Sequence, residues 1–471
     1  MSAALPVLCL ADLVHSGREV ALPVEIALAS AGVLRLEAWL RILPGRRYVG
    51  RGVWRDAAGV RRQVLAKLLV GKKAARQFAR ERDGARLLAA QGLPAPPLLA
   101  AEYAAGSGGW LLFPFLENAR APGEEELDMA VRAIAHLHAR GLWQEDLHPD
   151  NLLLQDGQLY FVDGGGIRAQ TPGQALSSPR ALDNLGMFYA QWPIRVEAGL
   201  SGALALYRAQ NPASGGKMHL PALQRAVSRQ RRARLRDWLK KITRECSGFC
   251  LRKKGAFGFC AVRRDKEEII APLLESPDAH IDAGHLCKDG GTATVARVEV
   301  SGQTFVIKRY NIKHFFHALS RCWRRSRAWR AWREGNRLLA LGIPTARPLA
   351  IIERRWCWFS GVAYLIMEDL PGEDILHRLQ AGEVAANAAE IDAVGALFSD
   401  LRRARLSHGD MKGNNLIWQE NRWALIDLDA MRAHRQRLTF ERAHRRDCRR
   451  FLRNWPPDSP LAHHFCKLIE K

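Results

Sequence analysis

The stretch LSHGDMKGNNLIWQENRWALIDLDAM (406–431) combines a polar loop with an apolar strand that ends in a carboxylate. Asp410 lies in the loop, Asn415 follows five residues later, and Asp427 ends the apolar strand. A carboxylate in this position can take the proton of an attacking hydroxyl, and oxygen ligands of this kind suit Mg²⁺ that bridges phosphates. The spacing therefore indicates phosphoryl transfer.

The same pattern occurs a second time, in LWQEDLHPDNLLLQDGQLYFVDGGGI (142–167). Asp146, Asn151 and Asp163 repeat the separations of Asp410, Asn415 and Asp427, and a further aspartate follows each set twenty residues later, at Asp183 and Asp447. A single aspartate or asparagine is usually a turn or a helix cap. The recurrence of the whole set makes coincidence improbable and predicts two copies of one domain.

The regions that precede these stretches also match. LAKLLVG (65–71) and VIKRYN (306–311) are apolar strands that carry a lysine, and each precedes a helical run with acidic residues that breaks at Gly-Leu-Pro or Gly-Ile-Pro. In the second copy, KDGGTATVARVEV (288–300) predicts a strand pair with a glycine-containing turn. These matches predict that the chain contains two tandem copies of one domain. The predicted boundaries are 1–212 and 278–471, with a basic connecting segment at 213–277.

The chain of 471 residues carries a formal net charge of +23 and is 48% hydrophobic. This composition argues against disorder, and the charge permits nucleic acid, an anionic membrane surface or a polyanionic substrate as a partner. No segment approaches the ~20 apolar residues of a spanning helix, the N-terminus lacks the features of a secretory signal, and nine scattered cysteines fit reduced thiols. We expect a cytoplasmic protein whose helical run at 229–244 presents arginines and lysines either to solvent or to anionic lipid.

Both halves resemble the protein-kinase-like fold, in the version found in bacterial lipopolysaccharide-core sugar kinases. The resemblance covers roughly 280–460, where it is closer, and roughly 40–200. It implies the α+β fold class, with two tandem protein-kinase-like domains, each comprising a small antiparallel sheet and a mainly helical lobe. The activity that it implies is that of an ATP- and Mg²⁺-dependent kinase that phosphorylates a sugar hydroxyl, that of heptose, in the lipopolysaccharide inner core. It also implies a glycolipid acceptor at the cytoplasmic leaflet of the inner membrane, to which the protein would bind peripherally.

The resemblance assigns roles to individual residues of the second copy. Lys308 matches the lysine that holds the nucleotide phosphates, Asp410 the catalytic base, and Asn415 and Asp427 the two Mg²⁺ ligands. Lys412 would steady the transferred phosphoryl group, and Asp447 would anchor the catalytic loop. The further candidates are the partner of Lys308, the phosphate-covering turn and the adenine-binding hinge: Glu334, Gly290, Gly291, and the segment from Met367 to Leu370 that includes Glu368.

In the first copy the counterparts are Lys67, Asp146, Asn151, Asp163 and Asp183, with Glu81 or Asp83 as the partner of the lysine. This copy departs from the pattern, because Gln144-Glu145 replaces His408-Gly409 and His148 replaces Lys412. A carboxylate next to the base could raise the pKa of the base or repel phosphate. The sequence leaves open whether one or both copies are active.

Three alternatives compete with the lipopolysaccharide kinase hypothesis. A kinase for a soluble small molecule or for protein could use the same fold, although the segments after Asp163 and Asp427 are short for an activation segment that binds peptide. One or both copies, the first especially, could be pseudokinase scaffolds. Nucleic-acid binding would rest on charge alone, because the chain has no zinc-finger or RNP-type motif, and we expect no nucleic-acid partner.

Overall fold

The computed structural model describes residues 7–17, 19–28, 31–252, 258–311, 325–356, 359–379 and 388–469. Residues 312–324, which belong to the stretch that carries the family resemblance, lie outside these ranges. The chain divides into two compact units. The first unit comprises Met1–Gln191 and Val196–Arg231, and the second comprises Trp192–Arg195 and Arg232–Lys471. The predicted connecting segment, 213–277, is therefore shared between the two units and is not separate from them.

The first unit contains a seven-stranded sheet in the order β1-β2-β3-β4-β5-β7-β6. All neighbouring strands are antiparallel except β1 and β2, which pair in parallel. Alternation along β5 buries Val64, Ala66 and Leu68 on one face and places Lys67 on the opposite face. The strands are β1 (Val7–Leu8), β2 (Val24–Ala27), β3 (Val33–Leu43), β4 (Arg47–Arg55), β5 (Arg61–Leu69), β6 (Ala100–Ala104) and β7 (Gly108–Pro114).

The rest of the first unit is mainly helical, with two small strand pairs that hold the predicted site loop. Strand β8 (Leu142–Gln144) pairs with β11 (Ile167–Ala169), and β9 (Leu152–Gln155) pairs with β10 (Gln158–Phe161). The helices are α1 (Ala74–Ala90), α2 (Leu127–Ala139), α3 (Ser178–Tyr189), α4 (Leu200–Gln210), α5 (Pro212–Gly215) and α6 (Leu220–Lys241), of which α6 extends past the unit boundary.

The second unit also contains a seven-stranded sheet, in the order β12-β13-β17-β18-β16-β15-β14, with antiparallel pairing throughout. Strands β12 and β13 come from the predicted connecting segment, so part of that segment is a sheet edge. The strands are β12 (Phe249–Arg252), β13 (Phe259–Arg263), β14 (His285–Gly290), β15 (Ala293–Val300), β16 (Gln303–Tyr310), β17 (Pro348–Trp356) and β18 (Phe359–Glu368).

Two further strand pairs hold the site loop of the second unit: β19 (Leu406–Ser407) with β22 (Arg432–Ala433), and β20 (Leu416–Gln419) with β21 (Arg422–Leu425). A large apolar core that includes Trp332, Trp423 and Phe451 lies beneath them. The helices are α7 (Ala271–Glu275), α8 (Pro277–Ala283), α9 (Arg327–Leu341), α10 (Ile375–Arg378), α11 (Ala388–Ala404), α12 (Arg437–Leu452) and α13 (Pro460–Ile469).

The α+β class predicted from the sequence is confirmed, but the sheets are larger than the small sheet that was expected, because each has extra strands at one edge. The parallel pairing of β1 and β2 also departs from the expected antiparallel arrangement. Among the described residues, none of the helices has the length and apolar character needed to cross a bilayer.

Candidate functional site

The loop that carries Asp410 is tied to the strand that ends near Asp427. The amide nitrogen of Asn415 donates to the backbone carbonyl of Asp410 at 2.8 Å. The backbone N–H of Ile426 donates to the carbonyl of Asn415 at 3.0 Å. Because the amide nitrogen is engaged, the carboxamide oxygen is the end of Asn415 that can ligate a metal.

Asp427 adopts a left-handed backbone conformation (φ 59°, ψ 57°) and precedes the 3-10 turn Leu428–Ala430. Its carboxylate lies 2.5 Å from the Lys308 ammonium. Non-glycine residues in this conformation are uncommon and concentrate at functional sites. Burial, together with the hydrogen bond that Asp427 makes to the neighbouring Asp429 carboxylate, raises the pKa of Asp427 above its usual value. Lys308 and Asp427, which the resemblance assigns to the phosphates and to the metal, thus lie side by side.

The second carboxylate partner of Lys308 is Asp429, at 2.9 Å, and not Glu334. Glu334 lies in α9, where it is buried and pairs with Arg337 at 2.5 Å, one helical turn further along the same helix. The prediction for Glu334 is therefore wrong as a contact. It failed because an i, i+3 partner on its own helix satisfies this glutamate.

Asp429 is the most heavily paired carboxylate of the site. Arg327 pairs with its side chain, and Arg330 donates to its backbone carbonyl at 2.9 Å. Burial opposes its ionisation, but the hydrogen bond with Asp427 and the charges of Lys308 and Arg327 outweigh burial and lower the pKa of Asp429. Asp429 is thus a fixed negative charge that holds Lys308. This role of Asp429 was not predicted from the sequence, although the Asp-Leu-Asp pattern at 427–429 was a visible signal.

Asp447 of helix α12 anchors the loop that precedes the base. Its carboxylate accepts hydrogen bonds from the backbone N–H groups of His408 at 2.7 Å and Gly409 at 2.9 Å. The His408 ring donates through Nε2 to the carbonyl of Ile426 at 3.0 Å and accepts from the backbone N–H of Asp410 at 3.3 Å. These bonds fit a neutral imidazole with its proton on Nε2. This arrangement agrees with the predicted anchoring role of Asp447.

The base candidate Asp410 lies between two cations. Arg450 of α12 is 2.6 Å away and Lys412 is 3.4 Å away, and the Asp410 side chain is 28% exposed. Arg450 was not predicted from the sequence. Lys412 is close to the base candidate, as predicted.

A cleft of about 900 Å³ opens beside Asp410, and a small cavity of about 20 Å³ lies on the sheet side of the site. Lys308 and Met367 line the small cavity, whereas the cleft contains Asp410. Tyr310 and Asp427 border both spaces. Asp427 therefore lies between a sheet-side cavity and an open cleft.

Two groups of residues that were predicted to contact the nucleotide do not have the expected placement. They are Glu368 of the hinge and the glycine turn at Gly290 and Gly291. The Glu368 carboxylate pairs with Arg347 at 3.2 Å, and its backbone N–H donates to the carbonyl of Arg347 at 3.0 Å, so both are already engaged. In the glycine turn, the carbonyl of Gly290 accepts from Asn311 at 3.2 Å, and a side chain at Gly290 would make only ordinary contacts. Neither Gly290 nor the adjacent Gly291 is among the residues that line the cleft, although Thr292 is.

The first unit contains the same local arrangement. The amide nitrogen of Asn151 donates to the carbonyl of Asp146 at 2.7 Å, and Asp163 is left-handed (φ 64°, ψ 64°) ahead of the 3-10 turn Gly164–Gly166. Lys67 pairs with Glu81 at 2.6 Å and with Asp163 at 3.2 Å. The alternative partner, Asp83, pairs instead with Arg82 at 2.9 Å.

Arg47 adds a cation that the second unit lacks at the corresponding strand position. It lies 3.1 Å from Glu81 and 3.2 Å from Asp163. In the sheet Arg47 is paired with the residue two after Lys67, and in the second unit Ala293 is paired with the residue two after Lys308. Burial disfavours the charged form of Asp163, but Lys67, the hydrogen bond with Glu81, and Arg47 together lower its pKa.

The departures of the first copy have local explanations. Gln144 donates to the carbonyl of Val162 at 3.1 Å, as His408 does to Ile426. Glu145 pairs with Arg80 and with Arg168, so the charge next to the base is compensated.

The loop anchor of the first unit is Asn184, whose amide nitrogen donates to the carbonyl of Gln144 at 2.7 Å. The predicted counterpart of Asp447, Asp183, is exposed and pairs with Arg229. The prediction for Asp183 is therefore wrong by one residue, because an aspartate can only accept hydrogen bonds and the group presented here is a carbonyl.

The base candidate of the first unit is more exposed than that of the second. The Asp146 side chain is 79% exposed, and the nearest basic side chain to it among the described residues is His148, at 3.9 Å. His148 also lies 3.5 Å from Asp150. In the first unit the lysine and the metal-ligand candidates thus lie together, but the base candidate Asp146 is exposed.

Residues 285–463 match the family model described as the Lipopolysaccharide kinase (Kdo/WaaP) family. Over these residues the second half of the chain is similar to lipopolysaccharide kinases. Every residue of the second-unit site from Lys308 to Arg450 lies within the matched range.

Two curated relatives agree with this finding. The chain is 28% identical to a 3-deoxy-D-manno-octulosonic acid kinase of Xanthomonas euvesicatoria pv. vesicatoria (strain 85-10) over 185 residues, which cover 36% of this chain and 72% of the relative. It is 27% identical to the enzyme of the same name from Xanthomonas axonopodis pv. citri (strain 306), with the same coverage. A solved structure described as WaaP in complex with acyl carrier protein covers 44% of this chain and 86% of its own, with 17% identity and a TM-score of 0.30.

Proposed function

We propose that the second unit transfers the γ-phosphoryl group of ATP to a hydroxyl of an acidic sugar in the lipopolysaccharide inner core. The observation that carries this proposal is the convergence of Lys308, Asn415 and Asp427 with Asp410 at the edge of an arginine-lined cleft, all within the range matched to the kinase family.

Each residue of the second-unit site has a separate role in this reaction. Asp410 orients the acceptor hydroxyl and takes its proton, and Lys412 approaches the same point. Lys308, held by Asp429, positions the phosphates. Catalysis is then mainly positioning and electrostatic stabilisation.

The donor set fits Mg²⁺, because Asn415 offers a carboxamide oxygen and Asp427 a carboxylate oxygen. When bound, Mg²⁺ would neutralise charge that develops on the transferred phosphoryl group. The pairing of Asp427 with Lys308 keeps this carboxylate in place before nucleotide binds.

The adenine of ATP would enter from the sheet side, near Met367. The cavity of about 20 Å³ at this position has room for about one water molecule and not for a purine. Nucleotide binding therefore requires the side chains around Met367 to move apart. The engaged N–H of Glu368 indicates that another group of the predicted hinge meets the base.

Among inner-core sugars we place 3-deoxy-D-manno-octulosonic acid ahead of the heptose that the sequence resemblance suggested. Both curated relatives are kinases for this acid sugar, and arginines line the cleft beside Asp410. A heptose within a glycolipid that carries the acid sugar is the second candidate, because the surrounding charge would be similar.

We also propose that the chain is a tandem duplication in which the second unit is the working kinase. The matched left-handed aspartates, asparagine-to-carbonyl bonds and lysine pairs support a common origin. The 79% exposure of Asp146 and the additional cation Arg47 distinguish the first unit as the weaker candidate for catalysis.

Peripheral attachment to the cytoplasmic leaflet of the inner membrane is part of the same proposal. Helix α6 presents Arg232, Arg236 and Lys241 at its surface, whereas Arg231 is buried and pairs with Glu197. The basic face is thus smaller than the sequence suggested. Binding to anionic vesicles that weakens as salt rises would support attachment, and binding that ignores salt would contradict it.

The central test is phosphorylation by the full chain of purified inner-core glycolipids, one ending in the acid sugar and one extended by heptose, detected by mass. We expect Asp410→Asn to lower turnover at least ~10³-fold and Asp146→Asn to have a much smaller effect. If Asp410→Asn retains turnover, the main site is misassigned. A large effect of Asp146→Asn alone would move catalysis to the first unit. Activity only on a soluble alcohol would favour the small-molecule kinase alternative.

A further inference from the structure

Helix α12 and its C-cap residue carry a row of four arginines along one face, namely Arg446, Arg449, Arg450 and Arg453, called the arginine row below. Their spacing of three, four and seven residues places them on one side of an α-helix. All four line the cleft that contains Asp410. Neither the family resemblance nor the phosphate-transfer geometry accounts for them.

The cleft has a surplus of positive charge. Eight arginines and four aspartates line it, which leaves a formal surplus of four positive charges. Arg327 and Arg330, at the α9 side, already bind Asp429. In contrast, no ion pair joins Arg446, Arg449 or Arg453 to a carboxylate within the part of the chain that the structure describes.

The arginine row is on the acceptor side of the site. Lys308 and Met367 border the small sheet-side cavity, which includes none of the four arginines. Asp410, the base candidate for the acceptor hydroxyl, pairs with Arg450 at 2.6 Å. An acceptor bound at Asp410 would therefore contact the arginine row rather than the residues of the sheet-side cavity.

The first unit has no equivalent row. Because Asn184 takes the place of Asp447, the corresponding positions of helix α3 and its C-cap carry Asp183, Gly186, Met187 and Ala190. At Gly186, the counterpart of Arg449, a Cβ would lie 2.9 Å from Ala226 and 3.1 Å from Val227. Helix α6 thus packs against the α3 face where the second unit presents arginines.

We propose that the arginine row binds the carboxylate and phosphate groups of the acceptor glycolipid. Arg450 acts as a positioning residue that pairs with Asp410 in the free protein. When the acceptor binds, Arg450 also contacts an anionic group of the acceptor. Guanidinium groups suit this task because they bind carboxylate and phosphate through paired hydrogen bonds. This proposal rests on the proposed function and names the chemical groups by which the acceptor is recognised.

The test measures binding separately from turnover, with the full chain and lipid A that carries the acid sugar in detergent micelles. We expect the double variant Arg449→Gln/Arg453→Gln to weaken binding about 100-fold, because each lost charge-assisted contact is worth about tenfold. The matched control is Arg442→Gln/Arg445→Gln, which removes the same charge from exposed positions of α12 outside the cleft lining. The control should change affinity less than about threefold.

Three further probes, two modified glycolipids and one lipid vesicle, identify the anion that the arginine row binds. They are the same glycolipid with its sugar carboxylate amidated, the same glycolipid without its phosphates, and vesicles of phosphatidylglycerol. The anion that contacts the arginine row is the one whose removal weakens binding to the wild type but does not further weaken binding to the Arg449→Gln/Arg453→Gln variant. If only phosphatidylglycerol binding depends on the row, the row is a lipid-headgroup site and the proposal is overturned.

Arg450 needs a separate readout, since its loss could act through Asp410. We expect Arg450→Gln to lower kcat about tenfold and to raise the acceptor KM, with Arg450→Lys restoring part of kcat. Equal acceptor affinity in the row and control variants would overturn the inference while leaving phosphorylation by the wild type intact. Failure of the wild type to bind or phosphorylate any of the glycolipids would overturn the proposed function as well.

Discussion

Lys308 lies 2.9 Å from Asp429, a residue only two positions after the metal-ligand candidate Asp427. In the first unit, the equivalent lysine instead pairs at 2.6 Å with a helical glutamate, Glu81. The two units thus hold this lysine in different ways. In the second unit the carboxylate that pairs with the lysine lies in a short 3-10 turn, and the metal-ligand candidate Asp427 immediately precedes that turn.

Removing the charge of Asp429 should weaken the apparent affinity for ATP and slow turnover. We expect Asp429→Asn to raise the KM for ATP about tenfold and to lower kcat, because Lys308 and Arg327 both lose a buried charged partner. The comparison is Glu334→Gln, which should destabilise the fold by a few kcal/mol, since Arg337 would be left uncompensated, yet leave the KM for ATP near its original value in the folded fraction. Steady-state kinetics combined with thermal unfolding distinguishes the two. A larger KM change in Glu334→Gln would restore the original sequence prediction.

The loop anchor Asp447 should matter far more than the exposed aspartate at the same spacing in the first unit. We expect Asp447→Asn to cost about 1–3 kcal/mol of stability and to lower kcat, because one of two hydrogen bonds to the backbone of His408 and Gly409 is lost. Asp183→Asn should change stability by less than about 0.5 kcal/mol, since its ion pair with Arg229 is exposed. Chemical denaturation of the two variants provides the measurement. Similar losses in both would show that the two helices anchor their loops alike.

A buried histidine should make the stability of the first unit depend on pH. His138 accepts from Tyr207 at 2.9 Å and donates to Asn184 at 3.0 Å, and burial lowers its pKa from 6.5 to about 4. The unfolded chain therefore binds a proton between pH 6.5 and about 4 while the folded unit does not, so stability is full above pH 6.5 and falls by about 3 kcal/mol as pH drops to 4.

Urea unfolding at several pH values checks this expectation. The loss between pH 6.5 and 4 should be smaller in His138→Gln, whereas the exposed neighbour variant His136→Gln should follow the wild type. An identical pH slope in His138→Gln and wild type would assign the effect to other groups.

Arg47 should weaken nucleotide binding by the first unit. It pairs with Glu81 and Asp163, the carboxylates that would otherwise serve the lysine and the metal. With the second unit disabled by Lys308→Met, we expect Arg47→Ala to tighten Mg-ATP binding about tenfold in calorimetric titrations. The exposed neighbour variant Arg46→Ala should have little effect. Weaker binding after Arg47→Ala would mean that this arginine contacts the nucleotide.

Much of the site was predictable because its groups are close in sequence. Asp410, Asn415 and Asp427 belong to one loop and the hairpin that follows it, so spacing alone limits how far apart they lie, and recurrence at Asp146, Asn151 and Asp163 supplied the same pattern twice. The lysines were recognisable because each lies in an apolar strand. These features required only local geometry and the alternation of a strand.

The remaining contacts depended on tertiary packing. Whether Glu334 or Asp429 meets Lys308 is decided by the rotation of α9 against the sheet and by the competing pair with Arg337, neither of which spacing reveals. The meeting of Arg450 with Asp410, forty residues apart, likewise depends on how α12 packs beside the loop. The amino-acid order thus sets which charged groups exist and which local turns carry them. Packing selects their partners, because a buried charge pairs with whichever opposite charge the fold brings within reach.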